Sequence, residues 1–109
     1  MERNYEKKYE VRGSVLIYQM PQELDHHVAK ALCQELDMLV EAFGIRELEL
    51  NFEKTEFMDS SGIGVIIGRS KTMQFREGRI RVSHLSNRIH MIFQAVGLQK
   101  IVEIKGEES

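Results

Sequence analysis

Cysteine and proline are almost missing from this chain of 109 residues: Cys33 and Pro21 are the only ones. A single cysteine excludes an intramolecular disulfide and suits a reducing compartment. One proline leaves no Pro-rich linker, and the chain shows no internal repeat or low-complexity segment. No apolar run approaches the roughly 18 residues of a membrane span. The start, Met1 to Lys8, lacks the apolar core of a secretory signal. A cytoplasmic protein without a membrane partner is expected. Charge of one sign is missing too: 15 basic and 17 acidic residues are interspersed for a net charge of −2. Arg76, Arg79 and Arg81 cluster only locally, so direct nucleic-acid binding lacks its electrostatic footing. His26, His27, His84 and His90 have no ligand spacing and Cys33 has no partner cysteine, which argues against a metal centre. Neither a Cys/His pair nor a G-x-S-x-G elbow is present. The expectation is a protein with no catalytic residues, no cofactor and no enzymatic activity.

What is present suits one packed domain over residues 1–109, with 1–3 and 106–109 frayed: apolar residues make up 42% and eight glycines punctuate them. Residues 4–11 alternate, residues 14–20 form a stronger strand, and Arg12-Gly13 between them reads as a hairpin turn. Asp25 caps a helix running to about Phe43, whose apolar stripe is Val28, Ala31, Leu32, Leu36, Leu39, Val40 and Phe43. Gly44 stops it. Leu48, Leu50 and Phe52 alternate with polar residues in a third strand, and Ile80 and Val82 do so in a fourth. A second helix spans about Ser61 to Arg76. A third opens at Ser86, carries Ile89, Ile92, Phe93 and Val96, and stops at Gly97. Ile101, Val102 and Ile104 read as a short last strand. Helical crossovers imply parallel pairing. Alternation in place of continuous apolar runs implies that one sheet face stays partly open. The predicted fold is α/β: a mixed, mostly parallel sheet with an N-terminal hairpin and helices mainly on one face. Gly64 and Gly68 weaken the second helix by about 1 kcal/mol each relative to alanine, which close approach to the sheet would offset.

The most informative segment is Phe57-Met58-Asp59-Ser60-Ser61-Gly62-Ile63-Gly64-Val65-Ile66-Ile67-Gly68. Asp59, Ser60 and Ser61 fall where a helix presents unpaired N–H groups and the positive end of its dipole. Each is an ordinary capping residue. A hydroxyl there is equally a phosphate acceptor, because the helix start stabilises an anion. Gly62 would leave the approach open to a modifying enzyme. Asp25, after a strand and before a helix, falls on the same edge of the sheet, so Asp25 and Ser60 are expected to be neighbours. The glycine run misses the dinucleotide fingerprint by one residue and lies inside a helix. A small nucleotide-binding protein and a receiver-like domain phosphorylated on Asp59 are the rival readings.

Three segments together resemble a STAS domain of the anti-sigma-factor-antagonist (anti-anti-sigma factor) type. They are Glu23-Leu24-Asp25-His26-His27, the run from Phe57 to Arg69, and Ile89-x-x-Ile92-Phe93-x-x-x-Gly97-Leu98. The resemblance spans about residues 10–104, and the double histidine points to the sporulation type that antagonises an anti-sigma-F kinase. It implies a partner switch. The unmodified protein binds an anti-sigma factor that is also a serine kinase, and the sigma factor is freed. The kinase phosphorylates the serine after the aspartate, Ser60, and a PP2C-like phosphatase reverses this. Asp25, Asp59, Ser60, Ser61, Gly62 and Ile63 would form the partner-binding surface. A STAS regulator of a general-stress or other pathway is the related alternative. Met20-Pro21-Gln22 departs from the family's usual polar residue and glycine, Ser70 replaces a usual aromatic, and the family's final helix is expected to be shortened or missing.

Overall fold

Period-two alternation sends Leu16 and Tyr18, Leu48 and Leu50, and Ile80 and Val82 to one side of a sheet, where all six are buried. The computed structural model describes residues 8–106. Its main sheet contains β1 (Tyr9–Arg12), β2 (Val15–Gln19), β4 (Glu47–Asn51), β6 (Arg79–Ser83) and β7 (Glu103–Ile104), in the order β1-β2-β4-β6-β7. Two short strands, β3 (Glu23–Leu24) and β5 (Phe57–Met58), pair with each other in a separate sheet. β1 is antiparallel to β2, and the remaining pairs of the main sheet are parallel. Residues 4–7 of the expected first strand lie outside the described residues, as do 1–3 and 107–109 of the expected frayed ends. The hairpin turn falls one position later than expected: Arg12 pairs with Val15, leaving Gly13-Ser14 in the turn, where Gly13 takes φ 60°.

Helix α1 (His26–Phe43) begins on Asp25 and ends on Gly44, whose φ of 59° lets its N–H reach back to the Val40 and Glu41 carbonyls. Leu32, Leu36, Leu39 and Val40 are buried, with Val28, Ala29 and Cys33 packed beside them. Two expected stripe residues are corrected: Ala31 is exposed and Phe43 is 49% exposed. Helix α2 (Ser60–Phe75) starts one residue earlier than expected and packs along α1, with Arg69–Asp37 at 3.3 Å and Arg76–Glu41 at 3.0 Å. Helix α3 (Asn87–Val96) is capped by Ser86 and buries Ile89 and Phe93, the latter edge-on to Phe52 at 5.7 Å. Val96, expected on its apolar stripe, is 51% exposed. A single 3-10 turn (Leu98–Lys100) precedes β7, so Ile101 and Val102 lie before the last strand rather than in it.

The sheet face away from the core is polar and crosses strands in charge-matched rows. Register places Glu47 beside Arg79 and Glu49 beside Arg81, with Glu103 next to Arg81. Ion pairs follow at Arg79–Glu103 (2.8 Å) and Arg81–Glu47 (3.1 Å). Glu49 departs from simple alternation. It is 4% exposed, accepts a 2.7 Å hydrogen bond from Ser83 and faces the Lys105 ammonium at 3.4 Å. A buried carboxylate persists when donors surround it in this way.

Candidate functional site

β3 and β5 bring together two loops that are far apart in sequence. Glu23 pairs with Phe57 and Leu24 with Met58, in parallel register. The next residue of each strand is therefore a matched pair, Asp25 and Asp59, and each caps the helix that follows. Asp25 Oδ1 accepts from the His27 N–H at 2.9 Å. Asp59 Oδ1 accepts from the N–H groups of Ser61 and Gly62 at 2.8 and 3.2 Å. The Asp59 N–H donates in turn to the Leu24 carbonyl at 3.2 Å. The two helix starts thus lie side by side, with Asp25 and Asp59 following the paired strands in register.

Ser60 is the first residue of α2 and is exposed, whereas Ser61 and Ile63 are half-buried and Gly62 is buried. Three expectations change here. A Cβ on Gly62 would stand 2.6 Å from the Leu24 carbonyl oxygen and 2.7 Å from Met58 Cγ. Gly62 therefore serves close packing of α2 against β3; it does not open a path for an enzyme. Gly64 and Gly68 behave in the opposite way, since a Cβ on either would meet nothing within 4 Å. They face away from the sheet, so the expected close approach is absent and their helix-weakening effect is not offset inside this molecule. The helix-start N–H groups expected to receive an anion are also occupied, because the Asp59 carboxylate already takes two of them. A phosphate on Ser60 would stand beside this carboxylate.

Two histidines complete the electrostatics. His26 Nδ1 lies 3.9 Å from Asp59 Oδ2, and His27 Nδ1 lies 3.6 Å from Asp25 Oδ2. The two imidazole rings lie with centroids 4.0 Å apart, tilted by 37° to each other. Burial acts to raise the Asp25 pKa, but the His27 N–H, its imidazole and the charge of His26 outweigh this and hold the carboxyl below its ordinary 3.8. Phe57, next to the site, is 48% exposed. The His26–Asp59 contact and the exposed Phe57 were missed in sequence, where the double histidine was the only signal. A cleft of about 770 Å³ opens nearby, between the end of β2, α1 and the loop after β4, with Tyr18, Met20, Leu32 and Glu35 in its lining.

The Asp59 carboxylate is committed to two N–H groups, which weakens the receiver-like reading. Gly62 is filled by Leu24 and Met58, and Gly64 and Gly68 lie within α2, so no glycine loop is left to cradle a nucleotide phosphate. Among the described residues no group of three or more His, Cys, Asp or Glu side chains could hold a metal ion. No helix of the described residues is long and apolar enough to cross a membrane.

Comparison with known proteins agrees with this geometry. The family model for the STAS domain matches residues 6–109. An anti-sigma F factor antagonist of Paenibacillus polymyxa is 31% identical over 105 residues, which cover 96% of this chain and 90% of that protein. An anti-sigma-B factor antagonist of Listeria monocytogenes is 31% identical over 86 residues, covering 79% of this chain and 75% of that protein. Among solved structures, the anti-sigma factor antagonist SpoIIAA in its unphosphorylated form superposes with a TM-score of 0.78 at 27% identity, covering 91% of this chain and 87% of that one. The phosphorylated form of the Bacillus protein superposes with a TM-score of 0.71, also at 27% identity, covering 91% and 90%.

Proposed function

This chain belongs to the STAS domain family, and from that premise we propose that it is an anti-sigma factor antagonist switched by phosphorylation of Ser60. The unmodified protein binds an anti-sigma factor that is also a serine kinase, and so frees the sigma factor. Its docking surface is the paired helix start: Asp25, Asp59, Ser60, Ser61 and Ile63, with Phe57 beside them and Gly62 setting the spacing from beneath. The kinase transfers a phosphoryl group to Ser60, and a PP2C-like phosphatase removes it. The chain itself catalyses nothing, and an ATP-dependent kinase step puts its action in the cytoplasm. The sigma-F pathway is favoured over a general-stress pathway because the adjacent histidines His26 and His27 resemble the sporulation type.

The observation that carries this reading is the exposed Ser60 at the start of α2, beside the start of α1 across the paired strands β3 and β5. Phosphorylation adds about −1.5 to −2 charges at pH 7. A dianion about 6 Å from one partner carboxylate costs roughly 1.4–5.5 kcal/mol at an effective dielectric of about 80 to 20. That is a loss of about tenfold to ten-thousandfold in affinity. The partner is released by repulsion at the surface, without refolding.

Incubation with an anti-sigma serine kinase and ATP, followed by mass-spectrometric mapping, tests the assignment. Phosphate is expected on Ser60. Ser60→Ala should bind the kinase and stay bound, and Ser60→Asp should bind poorly. Phosphate on Ser61 would overturn the site, and equal affinity of modified and unmodified protein would overturn the switch.

A further inference from the structure

The two N–H groups at the start of α2 that would otherwise steady a phosphate are held by Asp59. A phosphoryl group on Ser60 therefore meets a like charge on the preceding residue. The basic side chain placed against that carboxylate is His26, which comes from the other helix. The titratable groups that meet its imidazole are Asp59 at the cap of α2, the Asp25 carboxylate that caps its own helix, and the tilted ring of His27. Its Nδ1 faces Asp59 at 3.9 Å, which leaves Nε2 on the opposite side of the ring. The side chain is 68% exposed, so it is free to adjust toward a new anion.

We propose that His26 is the positioning residue for the phosphoryl group on Ser60: its imidazolium offsets Asp59 through Nδ1 and donates a hydrogen bond to a phosphate oxygen through Nε2. This rests on the reading of Ser60 as the modified residue. The chemistry is that of a charge-assisted hydrogen bond, which both orients the phosphate and favours its dianion. His27, turned toward Asp25 at 3.6 Å, has a different carboxylate to serve and does not share the role. The pair His26–Asp59 spans the two helices, so a phosphate held there also ties α1 to α2 at the docking surface.

The test needs no kinase. Phosphoserine is installed at position 60 of the full chain by genetic encoding, and the phosphate is titrated by phosphorus-31 NMR in the otherwise unaltered protein, in His26→Gln and in His27→Gln. The phosphate's second ionisation in His26→Gln, where the Asp59 charge is no longer offset, should come above its ordinary value near pH 6. With His26 present it should come about half a unit lower, roughly a threefold gain in acidity. His27→Gln should follow the unaltered protein. Both histidines are exposed, and amide spectra establish that each variant is folded. Coincident titrations with and without His26 would overturn the proposal, as would a shift in His27→Gln equal to that in His26→Gln. Failure of a kinase to modify Ser60 would overturn the functional reading alone, since this titration reports on the imidazole whichever enzyme acts.

Discussion

Alanine in place of each of three glycines of one helix should move stability in opposite directions. A methyl group at Gly64 or Gly68 meets nothing within 4 Å. Each substitution removes unfolded-state freedom and improves helix propensity, for a gain of about 0.5–1 kcal/mol. A methyl group at Gly62 stands 2.6 Å from the Leu24 carbonyl oxygen, 2.7 Å from Met58 Cγ and 2.8 Å from Leu24 Cγ. The nearest of these is backbone, and that carbonyl accepts the Asp59 N–H at 3.2 Å. Relief requires β3 and β5 to part or α2 to lift. Overpacking of this kind costs about 1–3 kcal/mol, and weakening the Asp59–Leu24 hydrogen bond adds about 1 kcal/mol. Against a propensity gain of at most about 1 kcal/mol, Gly62→Ala should lose about 2 kcal/mol net. For a domain of this size about 1 kcal/mol corresponds to roughly 4 °C in Tm. Thermal and urea melts of the three variants should show Gly62→Ala lower by about 8 °C and the other two higher by about 2–4 °C. A Gly62→Ala protein as stable as Gly64→Ala would refute the claim that Gly62 exists for close packing.

Acid stability should report on Asp25. Its folded-state pKa lies below its ordinary 3.8, so its contribution is complete above that value and is lost as pH falls through the folded pKa. Asp25→Asn should flatten the acid limb of urea-midpoint curves measured from pH 6 to pH 2, and an unchanged limb would remove Asp25 as its cause. On the far sheet face, Ser83→Ala takes a 2.7 Å donor from the buried Glu49 carboxylate. A loss of about 1–3 kcal/mol by urea melting is expected. It should largely vanish when Glu49→Leu is already present, since no acceptor is then left for the hydroxyl; a loss of the same size there would show the hydroxyl to be irrelevant to the carboxylate.

Much of the molecule was readable from neighbouring residues. The Asp25 cap, the Gly44 stop and the spacing of Leu32, Leu36 and Leu39 define α1, because capping and helical period are properties of adjacent positions. The same reasoning located α3, the hairpin, the parallel strands and the open sheet face, and it singled out Asp59-Ser60 as a helix start. Errors arose where short segments or outward faces were involved. Glu23–Leu24 and Phe57–Met58 are too brief for any periodicity to register, and they form only because each supplies the other's hydrogen bonds.

Contiguous chemistry therefore settled which residues are helical, which alternate and where an acidic cap precedes a serine. It could not settle what each face meets, since that depends on side chains brought in from remote parts of the chain. Gly62 and Gly64 are two positions apart and indistinguishable as letters, yet one is pressed against Leu24 and the other faces empty space. Glu49 alternates like a surface residue but is enclosed because Ser83 and Lys105 arrive from later segments. His26 meets Asp59 only because two strands of two residues each bring the starts of α1 and α2 side by side.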